Sequence, residues 1–179
     1  MLRKMHGPMS NEKAFTLIEV IVSLVLIGIM AAIAGMGLMR IAEGYVFTKQ
    51  NAEATQKAQI AMARMVKELA AADTISAAAA NAITYTRPLA TGNIITISPP
   101  NITLTVNNVS YPLMDKVVTD ASASSSKFLF YDKDGTPFSP TVSTTATIRR
   151  IDISLKTNGA NNTPISFSNS VYVTKVASY

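Results

Sequence analysis

The stretch KAFTLIEVIVSLVLIGIMAAIAGMGLM, residues 13–39, decides how the chain is read. From Phe15 to Met39 one charge, Glu19, stands among 25 positions. About 20 apolar residues cross the hydrocarbon core of a bilayer as a helix, and the run is longer than the roughly 7–15 residues of a secretory signal core. It therefore predicts a membrane span. Residues Met1 to Ala14 are polar and basic, with Arg3, Lys4 and Lys13 against Glu12, so two of the net +5 charges sit there. Positive flanks stay in the cytoplasm, which places the head of the chain outside it; Arg40 on the far side keeps the bias modest.

Beyond the span the composition changes to Ala, Gln, Lys, Glu and Met, strong helix formers, with no proline from Ile41 to about Ala72. The helix is expected to continue. Ile41, Tyr45, Ala52, Ala63, Val66 and Leu69/Ala70 recur near helical spacing, while Lys49, Glu53, Lys57, Arg64, Lys67 and Glu68 are polar, so this half reads as amphipathic. At about 1.5 Å per residue the whole segment from Phe15 makes a rod of about 80 Å.

The Ala-rich patch Ala77 to Ala80 is expected to separate this helix from a region rich in Thr, Ser, Asn, Ile and Val, the residues of strands and turns. Ile95 and Ile97, then Ile102, Leu104 and Val106, then Val109, Tyr111 and Leu113 alternate with polar residues, which puts each set on one sheet face. Asn107-Asn108 reads as a tight hairpin turn, since Asn tolerates positive φ. Pro112 points to an edge strand. Phe128 and Phe130, Ile151, Ile153 and Leu155, and Phe167, Val171 and Val173 predict further strands, while Ser122 to Ser126 and Thr157 to Thr163 read as loops. The expected fold is α+β: a long N-terminal helix, half transmembrane, packed on an antiparallel β-sheet head. The expected boundaries are a leader at 1–14, the span at 15–39, the amphipathic half of the helix at 40–76 and the head at 77–179.

Composition narrows the chemistry. The 179 residues include no cysteine, which excludes a disulfide framework, a thiol nucleophile and a thiolate metal site. Charged residues are 15% and hydrophobic residues 48%, with a mean hydropathy of +0.24, high for a domain without a lipid-facing segment. No basic stripe calls for nucleic acid.

Glu19 is the informative residue. An ionisable side chain inside a span costs about 2.5–3.5 kcal/mol even on lenient scales. Cleavage before Phe15 would create a free amine four residues from Glu19. Amine and carboxylate then pair either within one subunit or between neighbours.

At this point the residues Lys13-Ala14-Phe15-Thr16-Leu17-Ile18-Glu19-Val20 closely resemble the processing and methylation motif of type IV prepilins and type II secretion pseudopilins. The resemblance covers the leader, the span and the following helix. It implies cleavage between Ala14 and Phe15 by a membrane prepilin peptidase, N-methylation of Phe15, and docking of Glu19 on a neighbour's amine. The implied partners are other major and minor pilins or pseudopilins, the peptidase and an inner-membrane assembly platform, with no cofactor. The implied location is the bacterial inner membrane, single-pass, with the head periplasmic, and then the pilus or pseudopilus. Ala14 departs from the family's usual glycine at the cleavage site, and the family's mid-span proline near Met36 is absent. Gly28, Gly35 and Gly37 occur instead, either to loosen the helix on assembly or to allow close packing in the membrane. Phe128 to Gly135 and Ile148 to Leu155 resemble, less specifically, the heads of larger minor pilins and J-type pseudopilins.

Other candidates weigh less. Asp132-x-Asp134-Gly135 is similar to the start of a calcium loop, but no third carboxylate and no closing glutamate follow, so an Asp-Gly turn is the expected reading. The single histidine, His6, lies in the expected leader, so no His-based triad forms; Asp132, Asp134 and Asp152 are read as solvated strand-end aspartates, and no enzyme is expected. Arg149-Arg150 reads as a solvated strand edge rather than a phosphate contact, and Met62 and Met65 as helix core. The alternative to a polymerising subunit is a single-pass anchored binding module that keeps residues 1–14, which leaves the charge of Glu19 unexplained.

Overall fold

The structure, a computed structural model, describes residues 15–88, 90–118 and 126–173. The expected leader and residues Ser122 to Ser125 of the expected loop lie outside them. The chain divides into two units at Tyr45/Val46. Helix α1, Leu17–Ala70, is 54 residues long. Within the first unit every described side chain is exposed, including Leu17 at 81% and Leu38 at 70%. An 18-residue window of this helix averages 2.7 in hydropathy, long and apolar enough to cross a membrane. A continuous uncovered apolar surface of this kind is compatible with membrane anchoring.

In the second unit α1 buries Ala54, Ala58, Ala61, Met62, Met65, Glu68 and Leu69. These positions advance by threes and fours, one stripe of a 3.6-residue period. The stripe differs from the expected one: Ile41, Tyr45, Ala52, Ala63 and Ala70 are exposed, Val66 is half-buried, and the polar residue Glu68 is inside. Alanine on nearly every face makes the apolar pattern degenerate, and Met62 and Met65, at 6% and 0% exposure, decide which face is covered. The helix ends with an α-helical bond from Ala71 N–H to Lys67 O and one tightened turn, Ala72 N–H to Leu69 O, after which the Asp73 amide already bonds Thr86 O.

Among the described residues nine strands follow, in two antiparallel sheets rather than the one expected. The first is a meander of β1 (Thr74–Ala79), β2 (Ala82–Arg87), β3 (Ala90–Ser98), β4 (Asn101–Val106) and β5 (Val109–Met114) in that order. The second, ordered β7-β6-β8-β9, is built from β6 (Lys127–Tyr131), β7 (Pro137–Phe138), β8 (Arg150–Asn158) and β9 (Pro164–Tyr172). The Ala patch is thus not a spacer. Pairing with β2 holds Ala77, Ala78 and Ala79 extended, with a bulge after Ile75, which is tertiary context overriding weak local preference.

Asn107 and Asn108, at φ 50° and 62°, form the two-residue turn between β4 and β5, as their chemistry predicts. Pro112 does sit on an edge strand, next to a bulge that turns Met114 rather than Leu113 fully inward. Val109 and Tyr111 are about half exposed, against expectation, because an edge strand has no outer neighbour to cover them. Thr157 and Asn158 belong to β8, so the expected loop is shorter. The sheets are joined by the Val117–Thr157 bridge and by Val118 N–H to Lys156 O and Phe128 N–H to Ala80 O. One core cluster takes Met65 and Leu69 from the helix, Tyr85, Ile95 and Ile102 from the first sheet, and Phe128, Ile151, Ile153 and Leu155 from the second.

A tie between helix and loop shows how closely the two approach. The Ala160 amide donates to Asn51 Oδ1 at 2.7 Å. A Cβ added at Gly159 would collide with that oxygen and come within 2.8 Å of Ile165 Cδ1. Gly159→Ala is expected to swing Asn51 away and lower stability by about 1 kcal/mol, the worth of one hydrogen bond. In an Asn51→Ala background the added loss should shrink to that of the Ile165 contact; equal losses in both backgrounds, read by urea unfolding, would contradict this.

Candidate functional site at the helix N-terminus

The expected assembly residues sit where α1 begins. Phe15 lies just outside the helix and is 78% exposed. Thr16 caps it: the Glu19 amide reaches Thr16 O at 3.0 Å and Thr16 Oγ1 at 3.4 Å. Thr at the cap with Glu three residues on is one half of a capping-box arrangement. That signal was present in Thr16-Leu-Ile-Glu19, but the sequence reading missed it. Ser23, also missed, donates its hydroxyl to Glu19 O at 2.7 Å, tightening the same turn. Ala14, and with it the bond expected to be cut, lies outside the described residues.

Glu19 thus stands in the first helical turn. The positive end of the helix dipole favours a carboxylate there by about 0.3–1 kcal/mol, against a cost of about 2.5–3.5 kcal/mol for a charge within a span. The dipole offsets only part. No side chain among the described residues bonds the Glu19 carboxylate, so a further cation is needed. The i,i+4 pairing needs both residues on the helix, and Phe15 precedes the cap.

A second acidic group is fully compensated. Glu68, 2% exposed, receives Arg87 Nη1 at 2.7 Å and the Tyr85 hydroxyl at 3.0 Å on one oxygen, and Arg64 Nη2 at 2.9 Å on the other. Burial and the Glu68 charge together push the Tyr85 phenol well above its usual range, so it stays a donor. Sequence reading placed Glu68 on the solvent face, because no pattern along one helix reveals partners on a distant strand.

The remaining candidates have partners within the chain. Asp132 Oδ1 accepts the Asp134 and Thr136 amides at 3.0 and 2.9 Å, and Gly135 takes φ 78°. This is an aspartate-closed turn, with the Asp132 carboxylate engaged by backbone. No cluster of three or more metal-ligating side chains occurs among the described residues. Arg150 lies 3.9 Å over the Tyr131 ring and pairs with Asp152 at 3.1 Å, while Arg149 donates to Ala146 O. A cavity of about 500 Å³ is lined by Glu53, Lys57, Asp115 and Asn158 among others. Lys57 bridges Asp115 and Glu53, each at 3.1 Å. Its bonds to Asp115 and Glu53 raise the Lys57 pKa, and the bond from Lys57 lowers that of Asp115. The charges neutralise one another and present no activated nucleophile.

The family model for the prokaryotic N-terminal methylation motif matches residues 9–35, which include Phe15, Thr16 and Glu19. The match covers the N-terminal segment and supports a type IV pilin-like N-terminus. No curated protein and no solved structure matches the chain.

Proposed function

We propose that this chain is a minor pilin or pseudopilin subunit that enters a type IV pilus or type II secretion pseudopilus through its N-terminal helix. In this reading prepilin peptidase removes residues 1–14, cutting between Ala14 and Phe15, and methylates the new Phe15 amine. Residues 15–39 hold the subunit in the inner membrane with its N-terminus cytoplasmic, 40–76 continue the helix, and 77–179 form a periplasmic head that contacts other subunits at the tip or initiation complex. The observation that carries the proposal is Glu19, a carboxylate in the first turn of an apolar helix, inside the matched motif and, among the described residues, without a side-chain partner. A neighbour's Phe15 amine supplies the cation it lacks, and pairing two charges in lipid draws the incoming subunit into place. The head then serves as a contact surface rather than a catalyst.

Cells that carry the chain with its peptidase and a pilus or pseudopilus machine test this. The chain should be recovered in the sheared or affinity-isolated fibre fraction when the peptidase is active, and only in the membrane when it is not. Its confinement to the membrane under both conditions would overturn the proposal.

A further inference from the structure

The two sheets have four edges, and three of them are protected. The edge strand β1 is packed by the 3-10 helix Val142–Thr147. Strand β5 carries Pro112 and a bulge, and β7 is two residues long and begins with Pro137. Proline, bulges, short length and cover are the usual devices against unwanted strand pairing.

Among the described residues strand β9 has none of them beyond a proline at its first position. It runs for nine residues, PISFSNSVY, with no charged side chain, and its register with β8 is unbroken from Arg150↔Tyr172 to Asn158↔Pro164. Its one proline is the first residue, where it removes only a terminal amide. Among the described residues no strand pairs with its outer side.

The ladder tells which groups face outward. Val173 N–H bonds Arg149 O at 2.9 Å, so the odd-numbered residues of this strand are the ones bonded to β8. By alternation the amides and carbonyls of Ser166, Ser168, Ser170 and Tyr172 point away from the sheet. The Ser170 amide, so placed, is bonded to the adjacent Asn169 Oδ1 at 2.8 Å, a local substitute for a cross-strand acceptor.

We propose that the outer edge of β9 is a homotypic docking edge, on which a second copy of this chain lays its own β9 antiparallel with Ser168 opposite Ser168. Outward backbone groups specify an extended strand as the occupant. The choice of a second copy rests on three features of the strand. Its outward residues Ser166, Ser168 and Ser170 are symmetric about Ser168, so a two-fold axis there pairs Ser168 with its copy and Ser166 with Ser170 reciprocally, as an isologous contact requires, while at each end Tyr172 meets Pro164, which has no N–H to return. Nine uncharged residues bring no like charges face to face. Small exposed serines let the two backbones close to strand spacing. The pairing uses neither Glu19 nor the N-terminal helix, and joins two four-stranded sheets into one.

The chain contains no cysteine, so single cysteines report this register without background. The full-length protein in detergent is oxidised mildly as Ser168→Cys, as Ser170→Cys, and as a mixture of Ser166→Cys with Ser170→Cys chains. Directly opposed residues of a bonded antiparallel pair lie about 5.5 Å apart at Cα, within disulfide reach. Two copies of residue 170 would be roughly 15 Å apart, about four residues along the strand at about 3.4 Å each plus the strand spacing, beyond it. The expected result is disulfide dimer for Ser168→Cys and for the mixture, little for Ser170→Cys alone, and the same pattern in a Glu19→Val background. Adding Ser168→Lys, which opposes two like charges, should reduce the mixed cross-link at least tenfold. No dimer at 168, equal dimer at 168 and 170, or a cross-link formed only to a different protein would each overturn the proposal.

Discussion

Replacing Glu68 by alanine is expected to lower the stability of the head by about 2–4 kcal/mol, the largest loss from any single polar side chain here. Exposure decides which partners suffer. Arg64 and Arg87 keep 49% and 39% of their side-chain surface in solvent and can turn to water when the carboxylate is gone, so their share is small. Tyr85 cannot, since its side chain is fully buried and its hydroxyl would be left inside without an acceptor. An unmet buried donor costs about 1–3 kcal/mol, to which the vacated volume adds. Glu68→Gln, which retains an acceptor of the same shape, should lose about 1 kcal/mol, and Tyr85→Phe should restore part of the Glu68→Ala loss. Urea unfolding followed by the tyrosine signal reads all three. A Glu68→Ala protein within about 0.5 kcal/mol of the parent would show that the network carries no weight.

Glu19→Val should leave the amount of membrane-inserted chain unchanged or higher, because lipid favours valine over a carboxylate by about 3 kcal/mol. Its content in the fibre fraction should fall at least tenfold. Removing one partner of a buried ion pair costs about 3–5 kcal/mol, and about 1.4 kcal/mol is a factor of ten in a docking equilibrium. Insertion is retained while incorporation falls, which separates loss of docking from loss of insertion. Equal incorporation of parent and variant, measured in the same cells by quantitative immunoblot, would contradict the pairing mechanism.

The sequence made the N-terminal half legible because its physics is local. Twenty-five positions with one charge need no tertiary partner to be read as lipid-facing, and the motif around Glu19 is contiguous. The hairpin at Asn107-Asn108 and the edge position of Pro112 were legible for the same reason: each depends on the conformational limits of one or two residues. What failed depends on distant partners. The covered face of α1 was misread because alanines at 52, 54, 58, 61 and 63 suit either side, and the sheets choose. Glu68 looked solvent-facing because Tyr85 and Arg87 lie a strand away. The split into two sheets is set where the chain leaves Met114 and bridges Val117 to Thr157, a contact across forty residues that no periodicity encodes. The cap by Thr16 was readable and was overlooked, since attention to the charge of Glu19 hid its place three residues after a threonine.

In the proposed function a carboxylate in an apolar helix gains its cation from a newly made chain end. The mass of the mature N-terminal peptide, recovered from cells with and without active prepilin peptidase, tests this most directly. The prediction is a chain that starts at N-methylated Phe15 when the enzyme works and retains Met1 to Ala14 when it does not. A chain that keeps its first fourteen residues while present in fibres beside an active peptidase would contradict it, because Glu19 would then be docked without the amine.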